Sequence, residues 1–334
     1  MSRRPRFLPD NFTFALLSVV TFASLLPASG KVAHLFELLT TAAIGLLFFL
    51  HGAKLSREAV VNGLTHWRLH LLVFGSTFVM FPLLGLALKP LLLPLVTPEL
   101  YTGVLYLCVL PATVQSAIAF TAMARGNMPA AICSASASTL LGVFITPVLV
   151  NLVVLPHGGH ASSSLGSIGR ILLQLMVPFV VGHLLRPWIG KWIQRRAPVL
   201  KFVDQGSILL VVYTAFSAAV IEGLWRQVPA HALVGLLFVC AVVLGLALTL
   251  TTFAARRLGF DTADEITIVF CGSKKSLASG IPMAKVLFAS SAAGAVVLPL
   301  MLFHQMQLMV CAVLAQRYGR RGDVGASAVL KTAE

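Results

Sequence analysis

Acid is the scarcest chemistry in this chain. Asp and Glu number 11 among 334 residues, and charged residues of both signs make up only 11%. Soluble domains carry near a quarter charged residues, so a chain this poor in charge cannot clothe a water-facing globule. The five cysteines, Cys108, Cys133, Cys240, Cys271 and Cys311, all lie in apolar runs without a CxxC pair. That spacing argues against a zinc ribbon, a thiol redox motif or a disulfide framework, and neither metal nor cofactor is expected. No polar stretch is long enough for a separate soluble domain. What fills the chain is apolar: 58% hydrophobic residues and a mean hydropathy of +0.92.

The apolar residues fall into ten stretches fit to span a bilayer: Phe12–Leu26, Leu35–Leu50, Leu69–Leu88, Leu100–Met123, Ala130–Leu155, Ile168–Leu185, Phe202–Ile221, Ala232–Phe253, Ile266–Leu287 and Ala293–Ala315. The fold class expected is therefore all-α, a polytopic membrane protein of ten transmembrane helices. The 25 Lys and Arg residues sort by side when the N-terminus is placed inside. Eighteen then lie inside, among them Arg3, Arg4, Arg6, Lys54, Arg57, Arg125, Arg186, Lys201 and Arg317. Four lie outside, Lys31, Lys89, Arg170 and Arg226, and three are embedded in the ninth stretch. This is the positive-inside bias. It predicts both termini in the cytoplasm and explains the net charge of +14 without nucleic acid as a partner. Reading Arg3, Arg4, Arg6 and the first apolar run as a cleaved signal peptide would leave nine spans and the wrong parity for that bias.

Five spans per half is an odd number, so duplicated halves insert upside down relative to each other. Residues 1–155 and 156–316 are read as two inverted five-helix repeats, with 317–334 as a cytoplasmic tail. Such repeats build secondary transporters whose binding site forms where interrupted helices meet near the bilayer midplane. The fourth span of each half carries the interruption. In the first half it is Pro111-Ala112-Thr113-Val114-Gln115-Ser116, and in the second Gly272-Ser273-Lys274-Lys275-Ser276-Leu277-Ala278-Ser279-Gly280-Ile281-Pro282. Lys274 lies roughly 12 Å along a helix begun at Ile266, near the middle of the hydrocarbon core. A charge there costs about 2.5–3.5 kcal/mol on insertion scales and marks a functional site by default. Freed half-helix N-termini favour anions and the C-terminal ends favour cations. Adjacent lysines on a helix diverge by about 100°, so one is expected to face the crossover and the other a carbonyl or polar neighbour.

The site candidates are Lys274 and Lys275 with Ser273 and Ser276; Thr113, Gln115 and Ser116 in span four; Ser134 and Ser138 in span five; Thr77 in span three; and His304 and Gln305 in span ten, where Gln307 extends the polar stripe. Gln and Ser also serve as interhelical glue, and Ser134, Ser136, Ser138 and Thr139 equally suit a close-packing face. His183 reads as a packing residue, and Asp261, Asp264 and Glu265 as a solvated acidic cap on the ninth span.

With two interrupted spans in hand, the chain resembles the bile acid:sodium symporter family, and more closely its SBF-like branch. The likeness rests on Phe48-Phe49-Leu50-His51-Gly52 with Leu55, on Pro111 through Asn127 with Ala124-Arg125-Gly126-Asn127, on Ser138-Thr139-Leu140-Leu141-Gly142, and on the Gly272–Gly280 block. It implies a panel domain of helices 1, 2, 6 and 7, a core domain of helices 3–5 and 8–10 with helices 4 and 9 crossing, and a substrate cleft between them. The family's sodium-coupled members hold two sodium ions behind the crossover. Against their pattern, Phe270 stands at a Glu position, Lys274-Lys275 at Gln–Asn, Gln115-Ser116 at Ser–Asn, and Thr77 at Gln. These departures imply that lysines replace the sodium-site residues. The expectation is a symporter-type transporter of a small organic anion, coupled to protons or uncoupled, in a bacterial inner membrane. Its partners are that anion, the lipid bilayer and a coupling proton or sodium ion. The alternatives are a sodium-coupled organic anion symporter and a non-transporting regulatory or sensor protein affecting ion homeostasis. A Ser–Lys enzyme is disfavoured because adjacent residues diverge and no oxyanion arrangement accompanies them.

Overall fold

The computed structural model describes residues 11–54, 66–155 and 165–331. Arg3, Arg4, Arg6, Leu55 and Arg57 lie outside the described residues. Within them every regular element is helical, and six helices are long and apolar enough to cross a membrane. In chain order the main elements are α1 (Asn11–Leu25), α2 (Gly30–Lys54), α3 (Trp67–Ala87), α4 (Pro98–Val109), α5 (Gln115–Met123) and α6 (Met128–Val154). They continue as α7 (Leu165–Arg195), α8 (Ala197–Ile221), α9 (Ala230–Arg257), α10 (Thr262–Gly272), α11 (Leu277–Leu287) and α12 (Ser290–Lys331).

Several helices overrun the apolar stretches that announce them. α2 begins at Gly30, five residues ahead of Leu35, and α7 continues ten residues beyond Leu185 to Arg195. Hydropathy stops at the first charged turn, whereas backbone hydrogen bonding continues wherever water or headgroups receive the side chains. α12 likewise runs on through Lys331. Caps set the sharper ends. Asn127 accepts from Ala130 N at 3.1 Å to start α6, and Asp261 accepts from Asp264 N at 2.7 Å to start α10.

α7 packs along α2, α1 packs on α8, and α8 joins both α2 and α12. α10 is held by α3, α5, α6 and α9, and α12 packs on α4, α5, α9 and α11. The expected acidic cap on α10 is corrected in part. Asp261 does cap the helix, but Asp264 accepts from Asn127 Nδ2 at 2.8 Å and Glu265 is buried. Glu265 accepts from Arg256 at 2.9 and 3.0 Å and from Tyr318 at 2.8 Å. Packing of α12 over this turn removes it from solvent, and the partners come from three helices that local sequence does not connect. His183, expected as a satisfied packing residue, has its Nδ1 buried without a hydrogen-bond partner among the described residues.

Candidate functional site

The two interruptions meet. α4 ends at Val109 because Pro111 follows: proline has no N–H and drives the preceding Leu110 to an extended conformation, φ −75° and ψ 155°. α10 ends at Gly272, and α11 restarts under the cap of Ser276, whose Oγ accepts from Ser279 N at 3.2 Å. Ser276 N donates to Pro111 O at 2.9 Å, joining one break to the other. Ser276 Oγ also donates to Ser279 Oγ at 3.2 Å.

A broken helix in an apolar surrounding must place every freed backbone group, and here the destinations can be followed. Ala112 N donates to Ser138 Oγ (3.0 Å), Val109 O accepts from Thr146 Oγ1 (3.0 Å), and the carbonyls of Cys108 (2.9 Å) and Leu110 (2.8 Å) accept from Lys275 Nζ. The third acceptor of that ammonium is Thr77 O at 2.7 Å. Thr77 O is available because α3 widens into a π-helical turn at Ser76–Met80, where Phe81 N bonds Ser76 O. In that register the next donor would be residue 82, which is Pro82 and has no N–H. The ring of Phe81 covers the ammonium at 4.1 Å. Lys275 thus has one acceptor for each of its three N–H groups.

Its backbone is held with equal economy. Gln307 accepts from Lys275 N and donates to Lys275 O, both at 2.9 Å, and its Nε2 lies 2.9 Å from His304 Nδ1. Gln307→Leu is therefore expected to strand both groups and cost roughly 2–4 kcal/mol, seen as a lower thermal midpoint in detergent.

Lys274 sits differently. It is fully buried, its Nζ has no hydrogen-bond partner among the described residues, and it lies over Phe120 at 4.4 Å and Phe270 at 5.4 Å. Phe270, standing where the resemblance places a Glu, gives this ammonium an aromatic face instead of a counter-charge.

A cavity of about 470 Å³ lies on the other side of the breaks. Thr113, Gln115, Ser116, Ser276, Ser279 and His304 line it, so the N-termini of α5 and α11 both meet it. Ser116 donates to Thr113 Oγ1 at 2.8 Å on that wall. α2 and α8 form the opposite wall with His51, Lys54, Lys201 and Asp204. A second cavity of about 240 Å³ shares Lys54, Gln115, Lys201 and Asp204 and adds Arg186.

The structure sorts the predicted residues into two groups. Neither lysine lines the cavity; Lys275 lies against the carbonyls that the breaks strand, behind the crossover, and Lys274 against aromatic rings. Ser273 bonds back to Val269 O at 2.5 Å, and the Thr77 side chain bonds back to Val73 O at 2.8 Å, so only its carbonyl takes part. Ser138 braces the first break, and Ser134 pairs with His70 Nδ1 at 2.7 Å. Their neighbours Ser136 and Thr139 line the cavity instead, and Gln305 is not among the lining residues.

Sequence reasoning missed the wall made by His51, Lys54, Lys201 and Asp204. Asp204 carried a signal, an acid inside an apolar stretch, though only two residues from its edge.

Comparison with known proteins agrees with the resemblance. Residues 10–320 match the SBF-like CPA transporter family. An uncharacterized protein of Pseudomonas aeruginosa is 69% identical over 326 residues, 98% of each chain. A protein of Escherichia coli K12 named "Putative symporter YfeH" is 60% identical over 317 residues, 94% of each chain. Sodium/bile acid cotransporter 7-B of Xenopus laevis is 30% identical over 318 residues, 92% of this chain and 91% of its own. A match of that extent, on a chain with six helices among the described residues long and apolar enough to cross a membrane, makes this a multi-pass membrane protein and a secondary transporter rather than an enzyme; the chain belongs to the SBF-like CPA transporter family.

Proposed function

We propose that the protein moves a small organic anion across a bacterial inner membrane by alternating access, and that Lys274 and Lys275 stand where sodium-coupled relatives bind sodium. The architecture in this reading is ten spans in two inverted repeats, with α4–α5 and α10–α11 as the broken spans four and nine. α1, α2, α7 and α8 form the panel, the remaining helices form the core, and both termini are cytoplasmic. The cavity then opens on the side of Lys54 and Lys201, which the charge bias places inside.

The observation that carries the proposal is the Lys275 ammonium held by three main-chain carbonyls where the two breaks touch. Carbonyl oxygens around a single positive charge are what a bound alkali cation requires. A tethered ammonium supplies that charge from the chain itself and leaves no coordination to fill. Support for an anionic substrate comes from the two half-helix N-termini and from His51, Lys54, Lys201 and His304 around the cavity. The apolar lining, with Leu47, Phe179, Ile208 and Leu277, suits an amphipathic anion, and the name of the Xenopus laevis relative, a sodium/bile acid cotransporter, points to the same class.

The test is uptake of radiolabelled taurocholate, followed by a panel of other amphipathic anions, into proteoliposomes with sodium and proton gradients imposed separately. Uptake is expected to be indifferent to sodium and either accelerated by a proton gradient or driven by the anion gradient alone. Strict sodium dependence would return the chain to the sodium-coupled pattern of its named vertebrate relatives.

A further inference from the structure

The two lysines explain how the chain dispenses with sodium but not where a coupling proton would ride. Both cavities are lined by basic residues, and among the described residues Asp204 is the one carboxylate on either lining. Its Oδ2 forms an ion pair with Lys54 Nζ. Its Oδ1 is buried without a hydrogen-bond partner among the described residues. The Asp204 side chain is 17% exposed and that of Lys54 36%, so the pair has access to water through the cavity while one carboxylate oxygen stays dry. His51 lies three residues before Lys54, on the same face of α2, and also lines the large cavity. Its Nδ1 is 2.7 Å from Leu47 O. A carbonyl only accepts, so Nδ1 donates, and in the neutral ring Nε2 keeps its lone pair.

A fixed carboxylate is an odd feature in a cavity for anions, because it repels the cargo and occupies the cation best placed to hold it. The contradiction disappears if the carboxylate stands in for cargo when none is bound. We propose that Asp204 is the proton-binding site of the transport cycle and that Lys54 is the residue that takes the anionic head of the substrate. With the cavity empty, Lys54 pairs with Asp204. When an anion enters, Asp204 takes up onto a carboxyl oxygen a proton that arrives from bulk solution through the water of the cavity. The neutral carboxyl releases the Lys54 ammonium, which pairs with the anion. One negative charge replaces another beside Lys54, so cargo and proton enter together with no charge left uncompensated.

Among the described residues, the other charged or titratable groups that line these cavities with the pair are Lys201 on α8, Arg186 on α7 and His304 on α12; α5 contributes the uncharged Gln115. All three favour an anion at this wall, and none is an acid that could take the proton in place of Asp204.

The inference rests on the organic-anion reading, and two measurements on full-length protein separate their failures. The first needs no substrate. Infrared difference spectra are recorded on a pH titration of wild type, Asp204→Asn and Asp204→Glu. A component of the protonated-carboxyl band is expected in wild type that is missing from Asp204→Asn and recovered at a shifted frequency in Asp204→Glu. A band identical in wild type and Asp204→Asn overturns the proposal whatever the cargo. The second uses taurocholate in weakly buffered detergent solution. Uptake of about one proton per anion bound is expected in wild type, by reciprocal linkage, and none in Asp204→Asn. Lys54→Gln is expected to weaken taurocholate binding by about tenfold or more, as loss of a charge-assisted contact. Binding to wild type without proton uptake overturns the coupling role of Asp204. A wild type with the carboxyl band that binds none of the anions tested overturns the substrate class, and with it the cargo role of Lys54, but leaves the proton site standing.

Discussion

Lys275→Met is expected to cost the protein several kcal/mol of stability and most of its folded yield, whereas Lys274→Met is expected to leave stability unchanged or raised. The substitution is chemically the same at two adjacent, fully buried positions, so the contrast isolates what each ammonium touches. At Lys275 three charge-assisted hydrogen bonds disappear and the carbonyls of Thr77, Cys108 and Leu110 are stranded. Each stranded group costs about 1–3 kcal/mol, and none has an alternative donor within α3 or α4. Cys108 O lost its helical donor when Ala112 N turned to Ser138, and Thr77 O faces Pro82. At Lys274 the ammonium has no hydrogen bond among the described residues to lose. Two cation–π contacts worth up to about 2 kcal/mol each when desolvated are set against a desolvation penalty of several kcal/mol for the ammonium. A methionine there keeps the stem's packing and gains sulfur–aromatic contact with Phe120 and Phe270.

Thermal unfolding of the two variants in one detergent checks the prediction, with size-exclusion profiles confirming a folded population. Equal destabilisation by both would make the pair a structural unit and remove the distinction between them. If Lys274→Met is stable, its uptake in proteoliposomes becomes the informative measurement. Loss of transport in a folded variant would assign Lys274 to the working cycle; retained transport would leave it as a packing residue.

The same contrast shows how far the sequence could be read. The interruptions at Pro111–Ser116 and Gly272–Pro282 were legible because proline, glycine and polar residues in an apolar run have local meaning. The cost of a buried lysine was legible for the same reason. The acceptors were not: Lys275 reaches Thr77, Cys108 and Leu110 across 198, 167 and 165 residues. No local rule connects those positions. All three acceptors are main-chain carbonyls freed by a proline-containing break, Thr77 O ahead of Pro82 and those of Cys108 and Leu110 ahead of Pro111, so the signal lay in the prolines and not in the side chains of the acceptors. Serines on α6 show a subtler limit. Ser134, Ser136, Ser138 and Thr139 share a polar segment, but the helix turns about 100° per residue. One side braces the break and binds His70, while the other lines the cavity. Composition finds such a segment, and only the helix's rotation divides its tasks. Asp204 was hidden because a single acid near the end of an apolar stretch reads as a boundary, although it lies well inside α8.

A second large effect is expected where α2 meets α7, far from either lysine. Gly52→Ala and Gly182→Ala should each separate the two helices and lower stability by about 3 kcal/mol or more, at the upper end of overpacking costs. A Cβ on Gly52 would lie 1.9 Å from Phe179 O, and one on Gly182 would lie 2.0 Å from Phe49 O. The contact is reciprocal: each glycine receives a main-chain carbonyl of the other helix, three residues before the partner glycine. A flexible side chain could swing aside, but a carbonyl built into a helix moves only with the helix, and apolar association in lipid depends on such close approach by small residues. Gly245→Ala on α9 is the control, because a Cβ there meets nothing within 4 Å; it should be neutral or mildly stabilising through helix propensity. Thermal midpoints of the three variants decide the matter, and a Gly182→Ala midpoint equal to that of Gly245→Ala would contradict the close crossing. The consequence reaches the cavity. His51 and Lys54 flank Gly52 on α2, Phe179 lines the cavity from α7, and Asp204 pairs with Lys54 from α8. Pushing α2 away from α7 therefore shifts one partner of the Lys54–Asp204 pair relative to the other. A Gly52→Ala protein that still folds should lose proton uptake with taurocholate along with stability, whereas Gly245→Ala should lose neither.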